Sequence, residues 1–538
     1  MFINADVCEG CGDCSAQSNC VSLWPKETEL GRKRQIDQSS CNKDYSCVKG
    51  FCPSFITILG GELRKPQKAS LDAEAIAILP EPALAPITHG SYNLMISGIG
   101  GTGVVTVGAL LTMASHLEGK ACSVFDMTGL SQKNGAVFSH LRIAQSRDQL
   151  GAQRVGYGEA DLALAFDAVG GLSKEPFVTL AHGRTTAVVN TRVTPTPAFQ
   201  RNPDLNVDGS LLVHRFRKAV GEDHLRTLDA TGLALALLGD TIGTNLFMLG
   251  YASQLGLLPI SPAAIEHAIE INAVSVAFNQ SAFRLGRLQV VDPQGIAAAI
   301  QNVQSIMVEE PLQNLDDIVA HRVGLLTEYQ SAAYPARYRR LVETVAAAES
   351  KAMPAGDHEL AKTVARNFAR LMAYKDEYEV ARLHSSAKIR EELRSTFSGD
   401  VKLRYTLAPP LFSRRDAQGH LIKREFGAWV GSLFAVLAQF KFLRGTPFDI
   451  FGYTAERQME RRLIAEYETM INGLLSTLSA ANHATAIELA ALPTHMRGFG
   501  HIKHENVEKV KKSEAALLQQ YQHPSDSAKT IVLKRVAS

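Results

Sequence analysis

Seven of the eight cysteines fall within the first 52 residues, in two runs. The first is Cys8, Cys11, Cys14 and Cys20, spaced C-x2-C-x2-C-x5-C. The second is Cys41, Cys47 and Cys52, with Pro53 directly after it. Thiolates are soft ligands suited to iron–sulfur clusters. A stride of three lets one loop curl round a cubane and present a thiolate to three of its irons in turn. Zinc sites usually pair two separated C-x2-C knuckles and have no use for the middle member of a triple stride. Disulfides fit poorly with a chain that carries no secretory signature. The spacing therefore predicts two iron–sulfur clusters in residues 1–65.

In bacterial two-cluster ferredoxins the distant cysteine of each run crosses to the other cluster. On that template Cys8, Cys11 and Cys14 join Cys52 round one cluster. Cys20, Cys41 and Cys47 hold the other, which is then one thiolate short. Asp44 stands where the middle cysteine of the second run belongs. A carboxylate is a harder ligand than a thiolate and suits iron less well in this role. The expectation is a [4Fe–4S] cluster with one weakly held, Asp44-ligated iron, able to lose it and become [3Fe–4S]. The first run departs from the template in having five residues rather than three before Cys20, and Val21 in place of the usual proline. Cys122 stands alone in an apolar stretch and reads as a core residue.

Composition changes sharply after the cysteine region. Pro66, Pro80, Pro82 and Pro86 among Ala and Glu mark 66–91 as an extended linker. The strand-like run from Asn93 to Ser97 then leads into Gly98-Ile-Gly100-Gly101-Thr-Gly103, and Val104 to Leu117 reads as a helix ended by Gly119. Ala121 to Phe125 reads as the next strand, closing at Asp126, so the segment forms a βαβ unit with a glycine-rich turn. Such glycines let the backbone approach a phosphate, and the following helix aims free N–H groups at the anion. Gly98, Gly100, Gly101 and Gly103 are thus candidate cofactor-binding residues, the plainer reading being a tight turn packed on small residues. Asp126 lies near where a Rossmann unit places its ribose-binding carboxylate. The alternative function is accordingly an NAD(P)-linked iron–sulfur electron-transfer subunit with no oxoacid chemistry. Strand signals at Asp161–Phe166 and Thr186–Asn190, with a helical finish, predict a Rossmann-like α/β domain with a mostly parallel sheet over 92–305.

Residues 306–538 read as mainly helical. Tyr334, Tyr338, Leu341, Val342 and Val345 share one helical face, as do Leu360, Val364, Phe368 and Leu371. Pro409, Pro410 and Gly419 mark a loop or hairpin between helices. His495, His501 and His504 cluster late, but no carboxylate–histidine pattern frames them as a metal site.

At 538 residues, 46% of them apolar, the chain has room for about three or four domains with sizeable cores. A net charge of +2 gives no strong pull toward nucleic acid or a membrane. Lys509, Lys511 and Lys512 lack interleaved aromatics and read as a solvated helix face. The N-terminus has no signal-peptide pattern, and the most apolar window, Phe426 to Phe440, is too short to span a bilayer. A cytoplasmic protein is expected.

Three features taken together resemble one family, the 2-oxoacid:ferredoxin oxidoreductases, and within it the members acting on indolepyruvate. They are the cysteine runs, the Gly98 unit, and Gly129-Leu-Ser-Gln-Lys-Asn-Gly-Ala-Val-Phe-Ser-His-Leu-Arg142. In the last, Gly129, Gln132, Gly135, Val137, Ser139, His140 and Arg142 match the gamma-type pattern, while Lys133 and Asn134 replace its usual Arg-Gly. The likeness covers residues 1 to about 290, and the helical tail is similar to the extra region of the long fused bacterial form. It implies oxidative decarboxylation of an aryl 2-oxo acid to its acyl-coenzyme A, with electrons passing singly through [4Fe–4S] clusters to ferredoxin. It also implies thiamine diphosphate and magnesium, but no Gly-Asp-Gly of the thiamine signature occurs in this chain. The chain is therefore expected to be the electron-transfer and gamma-type half, working in an oligomer with a thiamine-binding subunit or domains. His140 and Arg142 are candidates for contact with coenzyme A, and no catalytic residue is assigned.

Overall fold

The computed structural model describes residues 1–64, 78–88, 90–129, 135–193, 199, 202, 204–205, 209–301, 312–354, 356–409, 413–414, 417 and 421–523. It divides into two compact units. One is Met1–Asp37, Cys41–Arg64 and Glu309–Ser538; the other is Gln38–Ser40 and Lys65–Val308. The cysteine region and the C-terminal helices, which composition separates into two domains, thus fall in one unit.

The cysteine region is sparing in regular structure, because its backbone must curl between closely spaced thiols. It contains β1 (Phe2–Ile3), a short helix Asp13–Ser18, β2 (Leu23–Lys26), β3 (Lys33–Ile36) and β4 (Phe55–Leu63). β2 and β3 form an antiparallel hairpin, and β1 pairs antiparallel with β4.

The α/β unit carries β5 (Ser91–Ile99), β6 (Ala121–Met127), β7 (Ala136–Ala144), β8 (Leu162–Ala165), β9 (Thr186–Asn190) and β10 (Leu225–Leu228), in the order β10-β9-β8-β5-β7-β6. β5, β8, β9 and β10 run parallel, whereas β7 is antiparallel to both β5 and β6. The sheet is therefore mostly parallel but mixed, with β7 as its one reversed strand. The short connection after β6 accounts for this. It is too short for a parallel crossover, so the chain turns back and β7 takes the place beside β5. The helices Val104–Leu117, Thr244–Gln254 and Val276–Val291 cover the sheet and bury Leu110, Phe247 and Phe283 with Leu94 and Ile96 of β5. Residues 78–88 of the expected linker lie along this unit. The Pro80 carbonyl accepts from Gln254 Nε2 at 2.8 Å and Arg287 Nη2 at 3.1 Å, and Ala85 N–H donates to Leu258 O. Pro66 lies outside the described residues.

The C-terminal part is mainly helical. Tyr338, Leu341, Val342 and Val345 are buried on the helix Pro335–Ala352, and Leu360, Val364, Phe368 and Leu371 on Glu359–Met372. Both helical periodicities are thus realised as core faces. Two strands interrupt the helices, β11 (Phe397–Leu407) and β12 (Arg424–Phe426). β11 pairs antiparallel with β4 along most of its length, completing the four-stranded sheet β1-β4-β11-β12. The alternation of Val401, Leu403, Tyr405 and Leu407 carries this strand signal. Pro410 and Gly419 lie outside the described residues. No helix among the described residues is long and apolar enough to cross a membrane.

Candidate metal centre and glycine-rich turn

All eight cysteines are free of disulfides. Seven of them sort into two groups by electrostatic proximity. The Cys11 thiol is pushed up by burial and by the charges of Cys52 and Cys8. Cys14 is raised well above the ordinary thiol value by burial, with Cys8, Cys11 and Cys52 as its charged neighbours. Cys47 is pushed up to about 12 by burial, and its charged neighbours are Cys20, Cys41 and Asp44. The chain thus gathers Cys8, Cys11, Cys14 and Cys52 at one place, and Cys20, Cys41, Asp44 and Cys47 at another. Among the described residues no three His, Cys, Asp or Glu are grouped as ligands of one metal ion would be; the thiols form looser sets.

The surroundings fit a polynuclear anionic group. Buried thiols this reluctant to ionise are deprotonated when metal coordinates them. Hydrogen-bond donors already face the sulfurs: Gly10 N–H lies 3.3 Å from Cys8 Sγ, and Ser54 Oγ lies 3.0 Å from Cys52 Sγ. Hydrogen bonds to the sulfurs are among the main controls of cluster potential. Arg34 is fully buried near Cys14, Cys8 and Cys11, which become thiolates when metal coordinates them. A buried guanidinium beside three thiolates is what a net negative cluster needs for charge compensation. Sequence reasoning missed Arg34, whose only signal is a lone basic residue in the hairpin after the first run.

Asp44 is exposed, and its Oδ1 accepts from the Ser46 amide at 3.0 Å and the Ser46 hydroxyl at 2.9 Å. Lys43 and Tyr45 on either side both have left-handed backbones, at φ 60° and 59°. Such conformations are uncommon outside glycine, and here they curl the Cys41–Cys47 loop tightly round Asp44. The carboxylate therefore has a turn-capping role besides its place beside Cys47.

The Gly98 turn separates into two kinds of glycine. Gly98 lies within β5, where a Cβ would meet Val104 Cγ2 at 2.8 Å and Phe166 Cβ at 3.4 Å, so its smallness serves packing. Gly101 and Gly103 have φ of 80° and 94° and stand at the open end of the turn. Gly100 N–H is tied to Gly135 O at 3.0 Å, and Asn245 Nδ2 holds the Thr102 carbonyl at 2.8 Å. Asn245 is a site residue that sequence reasoning did not find. The connection leaving β5 passes toward β6 and the one leaving β8 passes toward β9, so the turn sits at a topological switch point, where α/β sheets bind ligands. Asp126 is separated from β5 by β7 and accepts from Ser139 Oγ at 2.5 Å. A ribose-binding carboxylate sits on the strand next to the glycine turn, and this one does not. The geometry gives the NAD reading no support.

His140 and Arg142 lie on β7, on the face opposite Ser139, which packs under Gly108 of the helix Val104–Leu117. His140 is buried, its Nδ1 accepts from Val155 N–H at 3.1 Å, and burial lowers its pKa. Arg142 donates to Glu159 Oε2 at 2.7 Å, to Arg154 O at 2.8 Å and to Ser91 Oγ at 3.4 Å. These partners engage both terminal nitrogens of the guanidinium, while its buried Nε has no hydrogen-bond partner. Gln132, Lys133 and Asn134 of the same motif lie outside the described residues. Cys122 is half-buried on β6 against the core of the α/β unit, as expected. His501 packs on the Phe51 ring at 4.9 Å and His504 lies 3.5 Å from Glu508.

Residues 93–289 match the family model described as pyruvate ferredoxin/flavodoxin oxidoreductase. Residues 315–516 match a family of unknown function, DUF6537. Indolepyruvate oxidoreductase subunit IorB of Thermococcus kodakarensis is 30% identical over 200 residues, covering 36% of this chain and 94% of the relative. The protein of the same name from Pyrococcus horikoshii is also 30% identical over 200 residues, with the same coverage. Pyruvate oxidoreductase subunit PORC of Thermotoga maritima covers 37% of the chain and 95% of its own length at 21% identity and a TM-score of 0.27.

Proposed function

The chain belongs to the 2-oxoacid:ferredoxin oxidoreductase family, and from that membership we propose that it is the electron-transfer and gamma-type part of an indolepyruvate, or aryl 2-oxoacid, ferredoxin oxidoreductase. The observation that carries this reading is the sorting of the candidate ligands. Cys8, Cys11, Cys14 and Cys52 form one set and Cys20, Cys41, Asp44 and Cys47 the other, matching the crossed ligation of two-cluster ferredoxins. Thiamine diphosphate with magnesium, carried by a partner subunit or domains, supplies the decarboxylation, and the clusters supply one-electron steps. Coenzyme A is the acyl acceptor, an external ferredoxin the electron acceptor, and the cytoplasm the compartment.

Within that scheme the chain's own residues have distinct tasks. The thiols hold the clusters, and Arg34 offsets negative charge among Cys8, Cys11 and Cys14. Gly101 and Gly103 leave the turn after β5 open to an anionic group such as a coenzyme A phosphate.

The test is anaerobic purification with a thiamine-binding partner. The chain is expected to carry about eight iron and about eight acid-labile sulfide, as two cubanes require, and indolepyruvate should reduce the clusters only in the complex. Reduction by NAD(P)H in the isolated chain would instead establish the nicotinamide-linked alternative.

A further inference from the structure

The residues matched only to a family of unknown function grip the cysteine loops within one compact unit. Lys375 Nζ donates to the carbonyls of Val7 at 3.1 Å and Cys8 at 3.2 Å and pairs with Glu9 at 2.8 Å. His384 Nε2 lies 2.9 Å from the carbonyl of Pro53, next to Cys52. Arg497 Nη1 donates to Gly10 O at 3.4 Å. Lys423 Nζ donates to the carbonyls of Val48 and Gly50, in the loop between Cys47 and Cys52. Val380 and Phe499 share an apolar cluster with Cys8, Cys14, Cys47 and Cys52. β11 adds its backbone to β4, the strand that Cys52 leads into.

These contacts share one chemistry. Cationic or N–H groups from the C-terminal part meet the carbonyls of the loops that bear the thiols. Such carbonyls would otherwise point partial negative charge into a region where further negative charge must accumulate. Lys423 differs from the others in its place. Its electrostatic neighbours include Cys52 and Cys14 of one set and Cys47 of the other, so one ammonium lies near both. It is also partly buried, which weakens solvent screening of its charge.

Resting on the reading that the cysteines hold clusters, we propose that the C-terminal region forms the second half of the cluster housing, with Lys423 as the positioning residue whose charge sets the cluster reduction potential. Each one-electron reduction adds one negative charge to a cluster. A fixed cation nearby, in a medium less polar than water, favours that reduced form. A ferredoxin-like segment built without this region would therefore be a weaker electron acceptor.

The test is an EPR-monitored redox titration of the full chain in complex with its partner, with iron and sulfide analysis. Lys423→Met and Lys423→Gln are expected to keep their clusters and to lower the reduction equilibrium of at least one at least tenfold, 59 mV for one electron. Lys423→Arg should restore most of that loss. Intact clusters with unchanged potentials in both neutral variants would overturn the proposal. Loss of clusters from both would overturn it too, because Lys423 would then be structural only. A wild-type chain without clusters would instead remove the functional reading on which the proposal rests.

Discussion

A Cβ placed on Gly50 would stand 2.6 Å from the Cα of Cys14 and 2.7 Å from its amide nitrogen. The loop before Cys52 therefore crosses the first cysteine run at backbone contact, which brings Cys52 to Cys14 across a long sequence separation. The neighbour is backbone, so it cannot step aside as a flexible side chain would. Gly50→Ala is expected to destabilise the unit by about 1–3 kcal/mol and, on the proposed ligation, to lose iron from the Cys14 set while keeping it at the other. Iron analysis with EPR checks this; a full iron complement and unaltered unfolding would refute it.

Asp44 stands beside Cys47 with one oxygen tied to Ser46. Brief exposure of the wild-type protein to oxidant should therefore produce a [3Fe–4S] EPR signal. Asp44→Cys should suppress that signal by supplying the missing thiolate. The idea fails if two unaltered [4Fe–4S] clusters persist in the wild type under the same treatment.

Arg142 donates to Glu159, the Arg154 carbonyl and Ser91, joining β7 to β5 and to the segment after it. Glu159 is nearly half exposed, so the ion pair itself contributes little, and the main loss is from the buried hydrogen bonds. Arg142→Ala should lower stability by about 1–3 kcal/mol, read by denaturant unfolding. The KM for coenzyme A should stay within about twofold, a change of under half a kcal/mol. A raised KM with unaltered stability would instead make Arg142 a ligand contact.

His140 is held neutral because burial lowers its pKa, with the nearby Arg154 cation adding to the effect. The unfolded chain takes up a proton at this residue near pH 6.5, while the folded chain does so only at lower pH. The folded state therefore loses stability as pH falls below about 6.5. His140→Gln keeps an acceptor for the Val155 amide and should make the fall of Tm between about pH 6.5 and 5 shallower than in the wild type. Parallel Tm profiles would show that His140 does not contribute to it.

Local patterns were legible in the residues, whereas Arg34 beside the thiols and Asn245 at the glycine turn were not. The cysteine stride offered two candidate ligand sets, because loop curvature round a cluster depends on spacing over a few residues. The faces carrying Tyr338 and Phe368 were legible for the same reason, since helical periodicity is a local property. What the sequence could not decide were pairings between distant segments. β7 enters between β5 and β6 and takes Asp126 away from the glycine turn, because strand order depends on which partners bury their faces together. β11 joins β4 and carries the C-terminal helices onto the cysteine loops, although some 330 residues separate the strands. The sequence by itself thus determined which thiols, with Asp44, are candidates to hold metal. Only the tertiary structure decided which charges surround them, because Lys375, His384 and Lys423 reach the thiol loops through packing rather than through proximity along the chain.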